Sequence, residues 1–276
     1  MNLASDVHTH TLFSRHAYST IQENVTAAKA QGLELLGSTD HFSSMLFTEQ
    51  DLRNFQFFVN LSVWPRIWDG VVVLRGCEAD IVDMDGHLFG WDIDVPTGIT
   101  DMPYQKKRSL KDMVFRGIDY AVASVHGKAF ADGADPVQVS EMYIKALQDP
   151  KVAILGHIGR SGLTFELDPV LEEAARLHKM VEINEHSLDI SPSGKISKKC
   201  RRIAERAAEL GVQIAVSTDA HIATDIGHLD AARSMLEEID FPEELVATRS
   251  KDAFLKALRV ANVADCECQA DFPLVG

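Results

Sequence analysis

The sequence predicts an α/β protein: one domain in which strands of a parallel sheet alternate with helices, at a length that (β/α) barrels commonly fill. Three observations predict it. Short β-branched, apolar runs alternate with helical stretches along the chain, the pattern of repeated strand–helix–strand units. No segment rich in Pro, Gly or Ser divides it, and none is of low complexity. Its 276 residues, 46% of them hydrophobic, suit a barrel that fills a single domain.

The elements follow in order. A strand-like lead-in ends at Asp6-Val7-His8-Thr9-His10. Thr20-Ile21-Gln22-Glu23 reads as a capping box, opening a helix that runs to Gly32. Leu33 to Ser38 is a short strand before Thr39-Asp40-His41, and a further helix is expected to start near Thr48. Val71 to Leu74 is β-branched and apolar, and ends at Gly76-Cys77-Glu78. Asp85-Gly86 reads as a hairpin turn between Ala79–Val82 and His87–Trp91, an antiparallel excursion from the main repeat. Asp119 to Val125 is a strand ending at His126; Asp135-Pro136 opens a helix to about Gln148. Val152 to Leu155 leads to Gly156-His157, Asp168-Pro169 starts a helix ending near Lys179, and Met180 to Ile183 is a strand. Ser197 to Leu210 is helical and stops at Gly211; Val212 to Val216 ends at Ser217-Thr218-Asp219-Ala220-His221. Helices near Asp225–Ile239 and Lys251–Val260 follow, and a tail from about residue 262 is expected to be peripheral. Seven strands of the repeating type result.

Metal-capable side chains recur at the strand ends: His8 and His10, His41, Glu78, His126, His157, Asp219 and His221, with His16 in the first loop. His87, His178, His186 and His228 fall elsewhere. On an extended strand, residues two apart face the same way, so His8 and His10 can aim at one ion. In a closed parallel barrel the C-terminal strand ends meet at one mouth. Imidazole and carboxylate without thiolate suit Zn, Mn or Fe. Nine candidates are too many for one ion and imply two or three. A carboxylate such as Glu78 has two oxygens and can bridge. Asp40, next to His41, either orients an imidazole or caps a loop.

As an ordered set, His8-Thr9-His10, Thr39-Asp40-His41, Gly156-His157 and Asp219-Ala220-His221 resemble the four motifs of the PHP (polymerase and histidinol phosphatase) superfamily. Arg15-His16-Ala17-Tyr18-Ser19-Thr20, Trp64-Pro65-Arg66 and Arg75-Gly76-Cys77-Glu78 resemble its small stand-alone bacterial phosphatases. The resemblance reaches to about residue 260. It implies a distorted (β/α)7 barrel with three divalent metal ions. Carried over by motif, His8, His10, Glu78 and Asp219 would hold one ion. Glu78, His126 and His157 would hold a second, and His16, His41 and His221 a third. The usual His-Pro-Gly of the third motif is His157-Ile158-Gly159 here, so the loop after the ligand is expected to differ.

The activity this implies is hydrolysis of a phosphate monoester. Three divalent ions bring roughly +6 charge against two ligand carboxylates, a positive mouth on an acidic protein. A water shared between two ions is expected to lose its proton and attack phosphorus in line, the third ion neutralising a phosphate oxygen. Glu78, Asp219, Asp40 and Arg160 are the candidate catalytic residues. Arg160 either clamps phosphate or is a solvated loop arginine; Arg15 and Lys128 flank ligands in the same way, and Lys195 lies farther out. The run Lys198-Lys199-Cys200-Arg201-Arg202 reads as a solvated helix face.

Three alternatives stand beside this one. A related enzyme could cut nucleotides or short oligonucleotides; an amidohydrolase barrel also opens with HxH but bridges its metals through a lysine, and no lysine lies at a strand end. A non-catalytic metal-binding regulatory domain would be expected to lack ligands.

With 27 basic and 41 acidic residues the formal charge is −14. Such a field repels long nucleic acids and leaves a small phosphorylated substrate as the expected partner. No apolar run suits a membrane span and no leader precedes the HxH, so a cytoplasmic location is expected. Cys77, Cys200, Cys266 and Cys268 show no framework spacing.

Overall fold

The structure, a computed structural model, describes residues 1–191 and 194–264. Cys266, Cys268 and the middle of the Ser191–Gly194 turn lie outside the described residues. Seven parallel strands stand side by side in chain order. They are β1 (Ser5–Thr9), β2 (Leu35–Ser38), β3 (Val71–Asp80), β4 (Tyr120–Ser124), β5 (Val152–Leu155), β6 (Met180–Asn184) and β7 (Ile214–Ser217). The first and last meet just past their ends, where Asp219 N donates to His8 O and His10 N to Ala220 O, each at 2.9 Å. The expected α/β barrel of seven strands is therefore what the chain forms.

The strands alternate strictly where they are regular. On β6, Val181 and Ile183 face the helices, while Met180, Glu182 and Asn184 share the inner face. On β4, Ala121 and Ala123 face out and Tyr120 and Val122 in. The inner cluster takes Val7, Leu35, Leu74, Tyr120, Ile154, Met180 and Ala215, one or more from every strand. Phe254 and Leu258 of the last helix, Lys251–Val260, join the same cluster. Apolar packing thus fills the N-terminal half of the barrel, and polar side chains are left for the C-terminal half. Among the described residues no helix is long and apolar enough to cross a membrane.

The caps read from sequence form. Thr20 and Glu23 exchange both bonds of the capping box ahead of Ile21–Ala30, and Asp135 with Gln138 does the same ahead of Pro136–Leu147. Gly86 takes a positive φ of 72° in the expected hairpin turn, closed by Val82 N to His87 O at 2.9 Å.

Three boundaries differ, and one helix is new. The helix expected near Thr48 starts only after Asp51, whose side chain accepts from Arg53 N, as a 3-10 turn followed by Gln56–Val59. β3 does not end at Glu78 but runs to Asp80, because both its edges are paired there. The two-residue strand His41–Phe42 sets His41 opposite Glu78 on one side, and β4 sets Val122 opposite Glu78 on the other. The helix expected from Asp225 begins at Asp230, after Gly227 turns the chain with φ 75°. An unexpected helix, Leu110–Phe115, precedes β4 and is opened by a capping box of Ser109 and Asp112.

Candidate metal centre

The nine side chains singled out, eight at strand ends and His16 in the first loop, gather at the C-terminal end of the barrel, with Glu78 at their middle. Glu78 is fully buried. Its Oε1 lies 2.7 Å from His157 Nε2 and 3.4 Å from His126 Nε2. Its Oε2 lies 2.7 Å from His41 Nδ1, 3.4 Å from His8 Nε2 and 3.5 Å from His10 Nε2. Asp219 Oδ1 stands 3.1 Å from His10 Nε2 and 3.6 Å from His8 Nε2. On the solvent side, His16 Nε2 lies 2.9 Å from His221 Nε2 and 3.3 Å from His41 Nε2.

Among the described residues, three sets have ligand atoms close enough to share an ion: His8, His10, Glu78 and Asp219; His41, Glu78 and His126; His10, His41 and His221. The first is the set carried over by motif. In the other two, His41 and His10 stand between subsites, whereas the motif reading assigned each residue but Glu78 to one ion. His16 and His157 adjoin these sets through His221 and Glu78.

The local fit to metal is chemical as well as geometric. His8 Nε2, His41 Nδ1, Glu78 Oε2 and His157 Nδ1 are buried with no hydrogen-bond partner. Buried polar atoms are normally satisfied, and three of these four face one another across Glu78. A divalent ion is the partner such a donor set suits.

The outer nitrogens of His8, His126, His10 and His221 are held by the protein. His8 Nδ1 meets Glu182 Oε1 at 2.8 Å, and His126 Nδ1 meets Asp80 Oδ1 at 2.6 Å. His10 Nδ1 meets Ser14 Oγ at 2.9 Å, and His221 Nδ1 lies 2.8 Å from its neighbour's carbonyl, Asp219 O. Asp40 works through Ser14: it accepts from Ser14 Oγ at 2.7 Å and from Thr11 N and Oγ1 at 2.7 and 2.8 Å. It therefore reaches an imidazole, His10, through one hydroxyl. Arg160 points into the site rather than to solvent, its Nη2 donating to Asp219 Oδ2 at 2.6 Å. Arg15 is turned away, to Leu46 O and over the Phe47 ring. Lys199, expected on a solvated face, instead donates to Leu163 O and covers Phe165.

Charge follows from this crowding. Burial alone would push the Glu78 carboxyl up, but His41, His8 and His126 hold it well below the usual range. Asp219 behaves alike, with burial outweighed by His8 and His10. Burial would neutralise His8, yet Glu182, Glu78 and Asp219 hold it well above its ordinary value. His126 is pushed up to about 9, Glu78 and Asp80 outweighing its burial. His10 and His16 are lowered by burial and by neighbouring imidazoles. His8 and His126 thus favour a proton among the carboxylates, and an ion taken up there would have to displace it.

Glu182, Asp80 and Ser14 carry this arrangement and were not singled out from sequence. Glu182 had a signal: one acid in the apolar run Met180-Val181-Glu182-Ile183, which a buried strand tolerates only with partners. A cavity of about 640 Å³ opens over the cluster, lined on its far side by Glu185, His186, Asp189, Asp225 and His228.

A family model described as PHP domain matches residues 6–193. A probable phosphatase of Caldanaerobacter subterraneus is 36% identical over 252 residues, covering 91% of this chain and 89% of its own. A probable phosphatase of Clostridium botulinum is 34% identical over 259 residues, 94% of this chain and 96% of its own. Histidinol phosphate phosphatase from Lactococcus lactis, solved with zinc, L-histidinol and phosphate, matches 87% of this chain and 94% of its own. Its TM-score is 0.52 at 18% identity, a likeness of fold. A chain of an archaeal ribonuclease P bound to mature tRNA matches 98% of this chain and 96% of its own, with TM-score 0.51 at 13% identity. The family model spans more than half of the sequence, from β1 through β6, and with it Glu78 and six of the histidines beside it; on that match the chain belongs to the PHP domain family.

Proposed function

We propose that this protein is a metal-dependent phosphatase that hydrolyses small phosphate monoesters at a centre of three divalent ions. One observation carries the reading: buried imidazole and carboxylate atoms converge around Glu78 with no hydrogen-bond partners of their own. The relatives described as probable phosphatases support the chemistry, and the zinc bound by the Lactococcus lactis enzyme supports the metal class.

His8, His10, Glu78 and Asp219 would hold one ion, His126 and His157 with Glu78 a second, and His16, His41 and His221 a third. When bound, such ions would supply Lewis acidity toward phosphate oxygens and would lower the pKa of a bound water to about 7. The chain's own residues do the rest. Glu78 presents each oxygen to a different group of imidazoles and spans the centre. Glu182, Asp80 and Ser14 fix ring orientation, so the ligand atoms need not reorganise. Arg160 spends one N–H on Asp219 and, with five donors in a planar fork, keeps others for a phosphate oxygen. The cavity of about 640 Å³ is of a size that suits a small phosphorylated molecule, and the net charge of −14 disfavours a long polyanion.

The test is hydrolysis by metal-replete protein of p-nitrophenyl phosphate against bis-p-nitrophenyl phosphate, with metal counted on the same sample. Monoester turnover, abolished by a strong chelator and restored by Mn²⁺ or Zn²⁺, is expected. Turnover of the diester alone would assign the protein to phosphodiesters. Bound metal without turnover on a broad panel would make it a binding domain.

A further inference from the structure

Glu182 lies in the middle of β6, only 3% exposed, with three donors on its two oxygens. Oε1 meets His8 Nδ1 at 2.8 Å and accepts from Ser217 Oγ at 2.5 Å. Oε2 accepts from the backbone N–H of His157 at 2.6 Å. These contacts reach two different strand ends, one by the ring and one by the main chain.

We propose that Glu182 is a positioning residue that sets His8 and His157 together and so couples two of the three ion positions. This rests on the three-ion reading above.

An ionised carboxylate only accepts, so His8 Nδ1 keeps its proton with or without an ion, and Nε2, which faces Glu78 and Asp219, is the nitrogen that gives up a proton to take one. His157 has a positive φ of 28°, a region that a residue with a side chain enters at a cost that surrounding contacts must offset. The Glu182 bond to its N–H is such a contact and aims the ring so that Nε2 reaches Glu78 Oε1 at 2.7 Å. The other imidazoles are fixed elsewhere: His10 by Ser14, His126 by Asp80 and His221 by Asp219 O. Loss of Glu182 should therefore strike the ions that His8 and His157 face and spare the one beside His16 and His221. Glutamine cannot replace it, because one oxygen and one amide cannot accept from all three donors.

The experiment is titration of metal-free wild type, E182Q and D80N with Co²⁺, reading stoichiometry, affinity and the visible absorption of each bound ion. The wild type should bind three ions. E182Q should keep one at near wild-type affinity and weaken two by ~10-fold or more, the usual range for an outer partner of a metal-ligating histidine. D80N, whose carboxylate holds the ring of His126 and of no other histidine among the described residues, should weaken one. Three ions at unchanged affinity in E182Q, or equal weakening of all three, would overturn the proposal. A wild type that binds no ion would instead overturn the metal reading beneath it. Should E182Q not fold, nitrogen NMR of the zinc-loaded wild type decides. His8 with a protonated Nδ1 and a metal-bound Nε2 supports the role, and the reverse assignment rules it out.

Discussion

Glu78 Oε2 and His41 Nδ1 stand 2.7 Å apart, both buried, and are not aligned as a hydrogen bond. The register of the sheet fixes the pair, since His41 lies directly across from Glu78 where the short strand His41–Phe42 joins β3. Two such atoms held side by side, facing inward, are arranged for a third body. Glu78→Gln replaces one oxygen by an amide that can only donate, toward imidazoles on either side. The variant should lose at least two ions per chain and its p-nitrophenyl phosphate turnover should fall by at least ~100-fold, beyond the effect of an outer-partner change. Metal analysis with rates on one preparation checks it. Full metal content in Glu78→Gln would remove Glu78 from the centre.

Metal uptake should release protons. His126 is held at about 9 by Glu78 and Asp80 against its burial, and His8 is held well above its ordinary value. Both therefore carry protons at pH 7 in the metal-free protein, and a ligating imidazole nitrogen must shed its proton. The sign follows: apparent affinity rises as pH climbs toward about 9 and falls as pH drops, because protons compete for the same nitrogens. Calorimetry of Zn²⁺ binding at pH 7 in two buffers of different ionisation enthalpy should show release of at least about one proton per chain. Identical heats in both buffers would contradict this.

Asp40 separates a charge effect from a hydrogen-bond effect. It accepts from Thr11 N, Thr11 Oγ1 and Ser14 Oγ, and Ser14 in turn meets His10 Nδ1 and accepts from His41 N. Asp40→Ala leaves those buried donors without an acceptor and should cost ~2–4 kcal/mol in urea unfolding of the metal-free protein. Asp40→Asn keeps one oxygen, and the Thr11 hydroxyl can turn to accept from the amide, so about 1 kcal/mol is expected. Equal, negligible losses in both would show that the Ser14 link does not depend on Asp40.

Much of this site was legible because its chemistry lies at strand ends, where residue type alone stands out. His8, His10, His41, His126, His157, Asp219 and His221 each follow an apolar run within a few residues. What holds them was less legible, because it comes from register between strands distant in sequence. Glu182 gains its meaning from Ser217 on β7 and from His157 beyond β5, 35 and 25 residues away. Asp80 became an outer partner because β3 continues past Glu78, and that continuation depends on pairing with His41–Phe42 and β4. Arg160 was open between two readings because only the fold brings Asp219 to it, 59 residues on. The helix Leu110–Phe115 follows the antiparallel excursion, where the strand–helix rhythm used to place elements is interrupted.

The floor beneath the metal centre gives the last prediction. Tyr120, fully buried on β4, donates its hydroxyl to Val7 O at 2.5 Å across the barrel interior. Gly37 on β2 makes room for it: a Cβ there would overlap Tyr120 Oη and lie 3.0 Å from Val7 Cα. No side chain fits without moving either the ring or the backbone of the strand that carries His8. Gly37→Ala should therefore cost ~3 kcal/mol or more in urea unfolding, at the high end for overpacking. Tyr120→Phe alone should cost about 1 kcal/mol, leaving Val7 O without its donor. Combined, the two should cost less than their sum by ~1 kcal/mol or more, since removing the hydroxyl clears the worst contact while the approach to Val7 persists. Strict additivity would mean that the barrel floor relaxes around the added methyl group by another route, with Val7 rather than Tyr120 giving way.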